Sequence, residues 1–185
     1  MKKGATELIA QLRSNAVEAF DRLIEQYGER LYWHIRRVVI SHEDAEDALQ
    51  ETFVKAYTSI ADFRGETESS LTAWLYRIAT NIAIASLRRR RRWIFSSLDS
   101  LRGDLIATFE QEIEPTAEEI TIRLQRAILK LPTKQRLVFN MRYYDELSFE
   151  QISQATGQSV STLKTNYHYA VERIKAEVKI IDKEY

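Results

Sequence analysis

No cysteine occurs anywhere in the chain. That absence removes disulfide scaffolds, zinc sites built on thiolates and thiol catalysis, and it suits a reducing compartment. Only 2 prolines and 5 glycines are spread over 185 residues, too few for a turn-rich sheet protein, so long helices are expected. No apolar run approaches the roughly 20 residues of a membrane span. The two lysines of Met1–Gly4 lead into no apolar stretch of the kind that marks a secretory signal. A cytoplasmic chain without direct membrane insertion is the expectation. Catalytic groupings are missing too. His34, His42 and His168 show no metal-ligand spacing, and neither a glycine-rich phosphate loop nor a Ser/His/Asp grouping occurs. No catalytic residue, metal or cofactor is expected.

Net charge is zero, 27 Lys+Arg against 27 Asp+Glu, but the distribution is uneven. Residues 1–93 sum to +2, residues 94–119 to −6 and residues 120–185 to +4. Two basic-leaning blocks flank an acidic connector, and for a polyanionic partner the blocks matter more than the sum.

The clearest local signal is Ser148–Val178. Ser148 and Gln151 have capping-box spacing, Phe149, Ile152 and Ala155 form an inward face, and Gly157 is a natural left-handed stop. Ser159 can cap the next helix, along which Val160, Leu163, Tyr167, Ala170, Val171, Ile174 and Val178 recur at helical spacing. Ser161, Thr162, Lys164, Thr165, Asn166 and His168 are left near the outward face of its first turns. Short polar and cationic groups in that place suit base edges and phosphates in a major groove. An ordinary amphipathic helix pair with a solvated face would give the same local pattern.

The first half reads as four further helical segments. Thr6–Arg13 is short and amphipathic. A second carries Val17, Phe20, Leu23, Ile24 and Tyr27, is interrupted at Gly28, and resumes through Leu31, Tyr32, Ile35, Val38 and Val39. Ser41 caps the next, whose first turns crowd Glu43, Asp44, Glu46 and Asp47 where the helix dipole favours them. Asp44, Asp47, Gln50, Glu51 and Val54 share a face that is either solvated or a docking surface for a basic partner. After the polar loop Glu66–Ser70, a long helix from Leu71 ends in Arg88, Arg89, Arg90, Arg91 and Arg92. Five adjacent arginines repel one another and suit phosphate neutralisation. Residues 94–119 lose helical periodicity and are expected to be partly extended, though Leu98, Leu101, Leu105, Ile106 and Phe109 make them too apolar for a free tether.

The wording of these segments resembles a known family. Asp44-Ala45-Glu46-Asp47-Ala48-Leu49-Gln50-Glu51-Thr52-Phe53, then Phe63-Arg64-Gly65, then Thr72-Ala73-Trp74-Leu75-Tyr76-Arg77-Ile78-Ala79-Thr80-Asn81 resemble region 2 of the extracytoplasmic-function (group IV, sigma-70 family) sigma factors. Leu131-Pro132 through Arg136, Arg142-Tyr143-Tyr144 and Leu147–Ile152 resemble region 4 of that family. The resemblance implies an all-α fold of two small helical domains: region 2 over 5–93, an acidic linker over 94–119 and a helix-turn-helix region 4 over 120–181. It implies a protein that binds RNA polymerase core through the β and β′ subunits and directs initiation at promoter DNA, with no catalytic activity of its own. Asp44, Asp47, Gln50, Glu51 and Val54 become core-binding candidates. Phe63, Trp74, Arg77, Ile78 and Asn81, with Arg88, Arg89, Arg90, Arg91 and Arg92, become candidates for the −10 element, read as a flipped single-stranded base. Ser161, Thr162, Lys164, Thr165 and His168 would face the −35 bases, with Lys134, Arg136 and Arg173 on phosphates. A membrane-linked anti-sigma factor is a further implied partner. Many relatives carry arginine where this chain has Asn166 and Tyr169, which implies a different distribution of −35 contacts. The competing reading is a conventional helix-turn-helix regulator that does not bind polymerase core.

Overall fold

The computed structural model describes residues 2–14, 17–94, 98–111 and 119–181. Among the described residues there are helices and no strand: α1 (Lys2–Arg13), α2 (Val17–Val39), α3 (His42–Ser59), α4 (Glu68–Ile94), α5 (Leu98–Gln111), α6 (Glu119–Leu129), α7 (Thr133–Tyr143), α8 (Phe149–Thr156) and α9 (Val160–Ile181). One 3₁₀ turn, Ile60–Asp62, follows α3.

Helices α1 to α4 pack around Leu12, Leu23, Tyr27, Leu31, Ile35, Ile60, Leu71, Leu75 and Tyr76, all essentially without solvent contact. The Tyr27 hydroxyl, taken into this core, finds Thr72 Oγ1 at 3.3 Å, since a buried phenol without a partner would cost stability. Gly28 does not interrupt α2, which runs unbroken across it. A glycine inside a helix costs about 1 kcal/mol relative to alanine. Burial of apolar residues on both sides of it supplies more than that, at roughly 1.5–3 kcal/mol per large side chain.

Ser41 caps α3 as expected, accepting from the Asp44 backbone N–H at 3.3 Å. Just before it, Ile40 has φ 70. Helix ends often place glycine there; this chain spends a β-branched residue and recovers the strain by burying it to 6 % exposure. Helix α4 begins earlier than Leu71 because Thr67 and Ser70 cap it reciprocally: Ser70 N–H donates to Thr67 Oγ1 and Thr67 N–H to Ser70 Oγ, each at 3.1 Å.

The connector departs most from expectation. Residues 98–111 are helical, not extended. Leu105 is buried, and Ile106 and Phe109 pack on the main core from the same side of α5. Burying that stripe stabilises a helix that the acidic, weakly periodic sequence does not announce.

In the second half, α6, α7 and α9 enclose a small cluster of Ala127, Ile128, Leu131, Phe139, Ala170 and Ile174. The rest of its apolar surface joins the first half. Leu137, Val138, Met141, Leu147, Ile152, Ala155 and Leu163 are continuous with the core of α1 to α4, and α8 lies along α4. The two halves therefore share a core.

Candidate functional site

The α3 face is built as the sequence suggested. Ala45, Ala48, Thr52 and Ala56 turn inward. Asp47, Gln50, Glu51 and Val54 consequently turn out, while Asp44 is half-buried at the capped end. Val54 is 64 % exposed, an apolar side chain left without packing. Two neighbours that the motif did not single out extend this face. Tyr57, one turn beyond Val54, is 48 % exposed and sets its ring against Phe20 of α2 at 4.7 Å, and Ile24 of α2 is also exposed. The spacing of Tyr57 from Val54 was the available signal. Glu51 meets Arg89 of α4 at 3.4 Å. Both are about half exposed, so the pair contributes little, in the range of about 0–1 kcal/mol.

Behind α3, the loop after the 3₁₀ turn is held from three sides. Phe63 is buried and lies 4.9 Å from Trp74, tilted by 33°. Arg13 of α1 donates to the carbonyls of Phe63 at 3.2 Å and Gly65 at 2.8 Å. A β-carbon on Gly65 would lie 2.4 Å from Ser70 Oγ and 2.5 Å from the Phe63 ring. Glycine is required here for space. Phe63 therefore supports the loop and presents no face to solvent. Trp74 and Ile78 are half-buried, and Arg77, Asn81, Arg88 and Arg89 are exposed along α4. The backbone of α4 carries the arginine run through to Ile94. The side chains of Arg90, Arg91 and Arg92 lie outside the described residues.

The helix-turn-helix follows the local rules closely. Ser148 accepts from Gln151 N–H at 3.1 Å and Gln151 Oε1 accepts from Ser148 N–H at 2.9 Å, a complete capping box. Gly157 closes α8 at φ 73, a conformation that suits a residue without a β-carbon. Ser159 accepts from Thr162 N–H at 3.2 Å. Ser161, Thr162, Lys164, Thr165 and His168 are exposed on α9, as are Arg173 and Lys134, and Asn166 is half-buried. Tyr169, which stands where many relatives carry arginine, is 54 % exposed beside His168. Arg136 differs from expectation: it is buried, with a guanidinium N–H directed to the Leu129 carbonyl at 3.4 Å. At 3 % exposure it adds little to the exposed cationic surface.

Among the described residues, no group of His, Asp and Glu is arranged to hold a metal, and no helix is long and apolar enough to cross a membrane.

Comparisons with known proteins cover nearly the whole length. The family model for sigma-70 region 2 matches residues 23–93 and that for sigma-70 region 4 matches residues 121–174. The chain is 28 % identical to the ECF RNA polymerase sigma factor SigW of Bacillus subtilis, covering 92 % of this chain and 95 % of that one. It is 32 % identical to the RNA polymerase sigma factor YlaC of the same organism, covering 85 % and 91 %. Among solved structures, CnrH in complex with the cytosolic domain of CnrY superposes with a TM-score of 0.68 at 23 % identity, over 95 % of this chain and 97 % of that one. At that identity the likeness concerns the fold.

Proposed function

This chain belongs to the extracytoplasmic-function sigma factors of the sigma-70 family, and from that premise we propose how its surfaces divide the work of an alternative sigma factor that directs transcription initiation. Region 2, residues 5–93, docks on the polymerase core through the exposed face of α3. Asp47, Gln50 and Glu51 set orientation against a basic partner surface, and Val54 supplies apolar contact at the centre. The observation that carries this assignment is Val54. A branched apolar side chain 64 % exposed amid acids resembles the apolar core of an interface with its polar rim.

Trp74, Ile78 and Asn81 of α4 read the −10 element once strands part. Half-buried aromatic and apolar groups beside an exposed amide offer stacking and a hydrogen bond to one extruded base, stacking being worth about 1–3 kcal/mol per base. Phe63 acts behind Trp74. The arginine run neutralises phosphates near the melted strand, with Arg88 and Arg89 as its exposed beginning. Region 4, residues 120–181, lays α9 in the major groove at −35. Ser161, Thr162, Lys164, Thr165 and His168 face the bases, and Lys134 and Arg173 hold the backbone. Thr165 Oγ1 now donates to the Ser161 carbonyl at 3.1 Å, an intrahelical bond that a base-edge acceptor can replace. Residues 94–119 join the two regions. Catalysis of RNA synthesis belongs to the polymerase; the sigma factor supplies binding and strand selection from the cytoplasm. A membrane-linked anti-sigma factor is the regulatory partner expected of this family. The helix-turn-helix regulator alternative explains α8 and α9 but leaves the α3 face and α4 without a shared role.

Capture of bacterial polymerase core by the purified chain tests the assignment. The parent binds stably, and Asp47→Arg/Gln50→Ala loses most of that binding while keeping its helix content. Failure of the parent to bind core under conditions where another sigma factor binds refutes the assignment.

A further inference from the structure

Helix α1 lies ahead of residues 23–93, the stretch that matches the region 2 family model, and its last residue reaches into the loop before α4. Leu8, Ile9 and Leu12 are buried, so apolar packing alone fastens α1 to the bundle. Arg13 ends the helix on its exposed edge. Its Nη2 donates to two carbonyls, Phe63 at 3.2 Å and Gly65 at 2.8 Å, one for each N–H that this nitrogen carries. The guanidinium carbon also lies 5.9 Å from the centroid of the Phe63 ring, at the outer limit of a cation–π contact.

Residues 63–66 have no regular secondary structure. Their carbonyls therefore have no helical ladder to join and need other partners or water. Ser70 and the Phe63 ring crowd the Gly65 α-carbon, leaving no room for a β-carbon. Arg13 takes hold of the same residue through its carbonyl. One nitrogen bonded to carbonyls two residues apart admits few loop conformations, because both acceptors must converge on it. The bonds sit near solvent, where losing them costs little overall stability since water can replace the donor. Their effect is to fix the shape of the loop.

We propose that Arg13 is a positioning residue for reading the −10 strand: by clamping Phe63 and Gly65 from α1, it fixes the ring that Trp74 rests on and so sets the platform on which the extruded base stacks. The Phe63 and Trp74 rings lie 4.9 Å apart, and Trp74 is half-buried, packed on one part and open on another. A binding group of that kind works only when its supports hold it to within about 0.5 Å. The inference rests on the assignment of Trp74 to the −10 base and adds a support from a helix that no contact with DNA has been assigned to. A direct phosphate contact is the competing role for an exposed arginine, but Nη2 is already committed to the chain's own carbonyls.

The clamp is tested first in the free chain, by amide hydrogen exchange. Phe63 N–H donates to the Ile60 carbonyl and Thr67 N–H to Ser70 Oγ, each at 3.1 Å, so these two amides report on either end of the loop. Arg13→Ala should speed their exchange by about 2- to 10-fold, the equivalent of one hydrogen bond. Arg22→Ala is the control. It removes a nearby exposed cation that bonds Gln11 Oε1 of α1 at 2.9 Å and leaves the loop alone, so exchange should stay at the parent rate.

The consequence for reading is then measured on polymerase core loaded with the full chain. Fork-junction DNA with a randomised single-stranded non-template tail is offered, and the retained molecules are sequenced. The parent should enrich particular bases in the tail. Arg13→Ala should reduce that enrichment by about 5-fold, the lower end of what base–aromatic stacking supplies, while binding core as the parent does. Trp74→Leu should lose at least as much. Arg13→Lys keeps the cation on a shorter stem without the planar fork, so it should fall between parent and Arg13→Ala. Parent exchange rates at Phe63 and Thr67 in Arg13→Ala would overturn the clamp. So would parent enrichment in Arg13→Ala beside its loss in Trp74→Leu, or full restoration by Arg13→Lys. A flattening of the salt dependence of DNA affinity by about 0.9 log units per log unit in Arg13→Ala would make Arg13 a phosphate contact and overturn it too. Parent enrichment in Trp74→Leu refutes the −10 assignment itself, and the role of the clamp with it. The exchange measurement needs neither DNA nor polymerase, so the two failures are told apart.

Discussion

Replacing Gly65 by alanine tests how tightly the loop ahead of α4 is built. The new β-carbon would sit 2.4 Å from Ser70 Oγ and 2.5 and 2.7 Å from two Phe63 ring atoms. None of these neighbours can retreat easily. Phe63 is buried against Trp74, the Ser70 hydroxyl is committed to the Thr67 carbonyl at 2.7 Å, and the Gly65 carbonyl is tied to Arg13. Overpacking of such a site costs about 1–3 kcal/mol, and losing the Thr67–Ser70 cap adds about 1 kcal/mol. The stiffer unfolded chain of the alanine variant returns about 0.4–1 kcal/mol. A net destabilisation of about 1–3 kcal/mol is expected, read as a lower urea midpoint at unchanged slope. Gly28→Ala is the matched control. Its β-carbon would meet only Ile24 Cγ2, at an ordinary 3.9 Å, so the helix-propensity gain of up to about 1 kcal/mol should appear as added stability. The reasoning is refuted if Gly65→Ala unfolds within about 0.5 kcal/mol of the parent, the scale of a neutral surface change.

Two further measurements address other parts of the molecule. Burial raises the phenols of Tyr27, Tyr76 and Tyr144 above the ordinary 10.0, with the Asp145 carboxylate adding to the rise at Tyr76. A folded phenol that keeps its proton to higher pH than an unfolded one contributes stability that is complete below about pH 10 and is lost as pH climbs above it. Urea unfolding from about pH 9 to about pH 12 should show that loss, with a shallower decline in Tyr76→Phe; equal declines would contradict the burial argument. Arg173, exposed on α9, should contribute one phosphate's worth of electrostatic affinity, so Arg173→Ala should flatten the salt dependence of holoenzyme binding to a −35 duplex by about 0.9 log units per log unit. No change in slope would place Arg173 away from the DNA backbone.

The sequence alone determined what depends on neighbours within about one or two helical turns. The Ser41, Ser148 and Ser159 caps, the Gly157 stop, the inward faces of α3, α8 and α9, and hence the exposed positions of Asp47, Gln50, Glu51, Val54 and the −35 candidates of α9 all follow from spacing, because a helix presents its sides in a fixed order. Even the family could be recognised from such local wording. Only the tertiary structure decided the rest. Helix α5 exists because Leu105, Ile106 and Phe109 find a core to cover, not because 98–111 is strongly periodic. Gly28 passes unnoticed inside α2 because packing on either side outweighs its propensity. Arg136 and Phe63 are interior although their types and motif positions suggested contact with DNA. The joining of the halves was invisible for a simpler reason: His34 and Asp145, whose side chains meet at 2.6 Å, stand 111 positions apart. No periodicity links residues at such a distance, and an imidazole and a carboxylate read separately are surface groups by default. Their pairing becomes meaningful only when folding removes water from both.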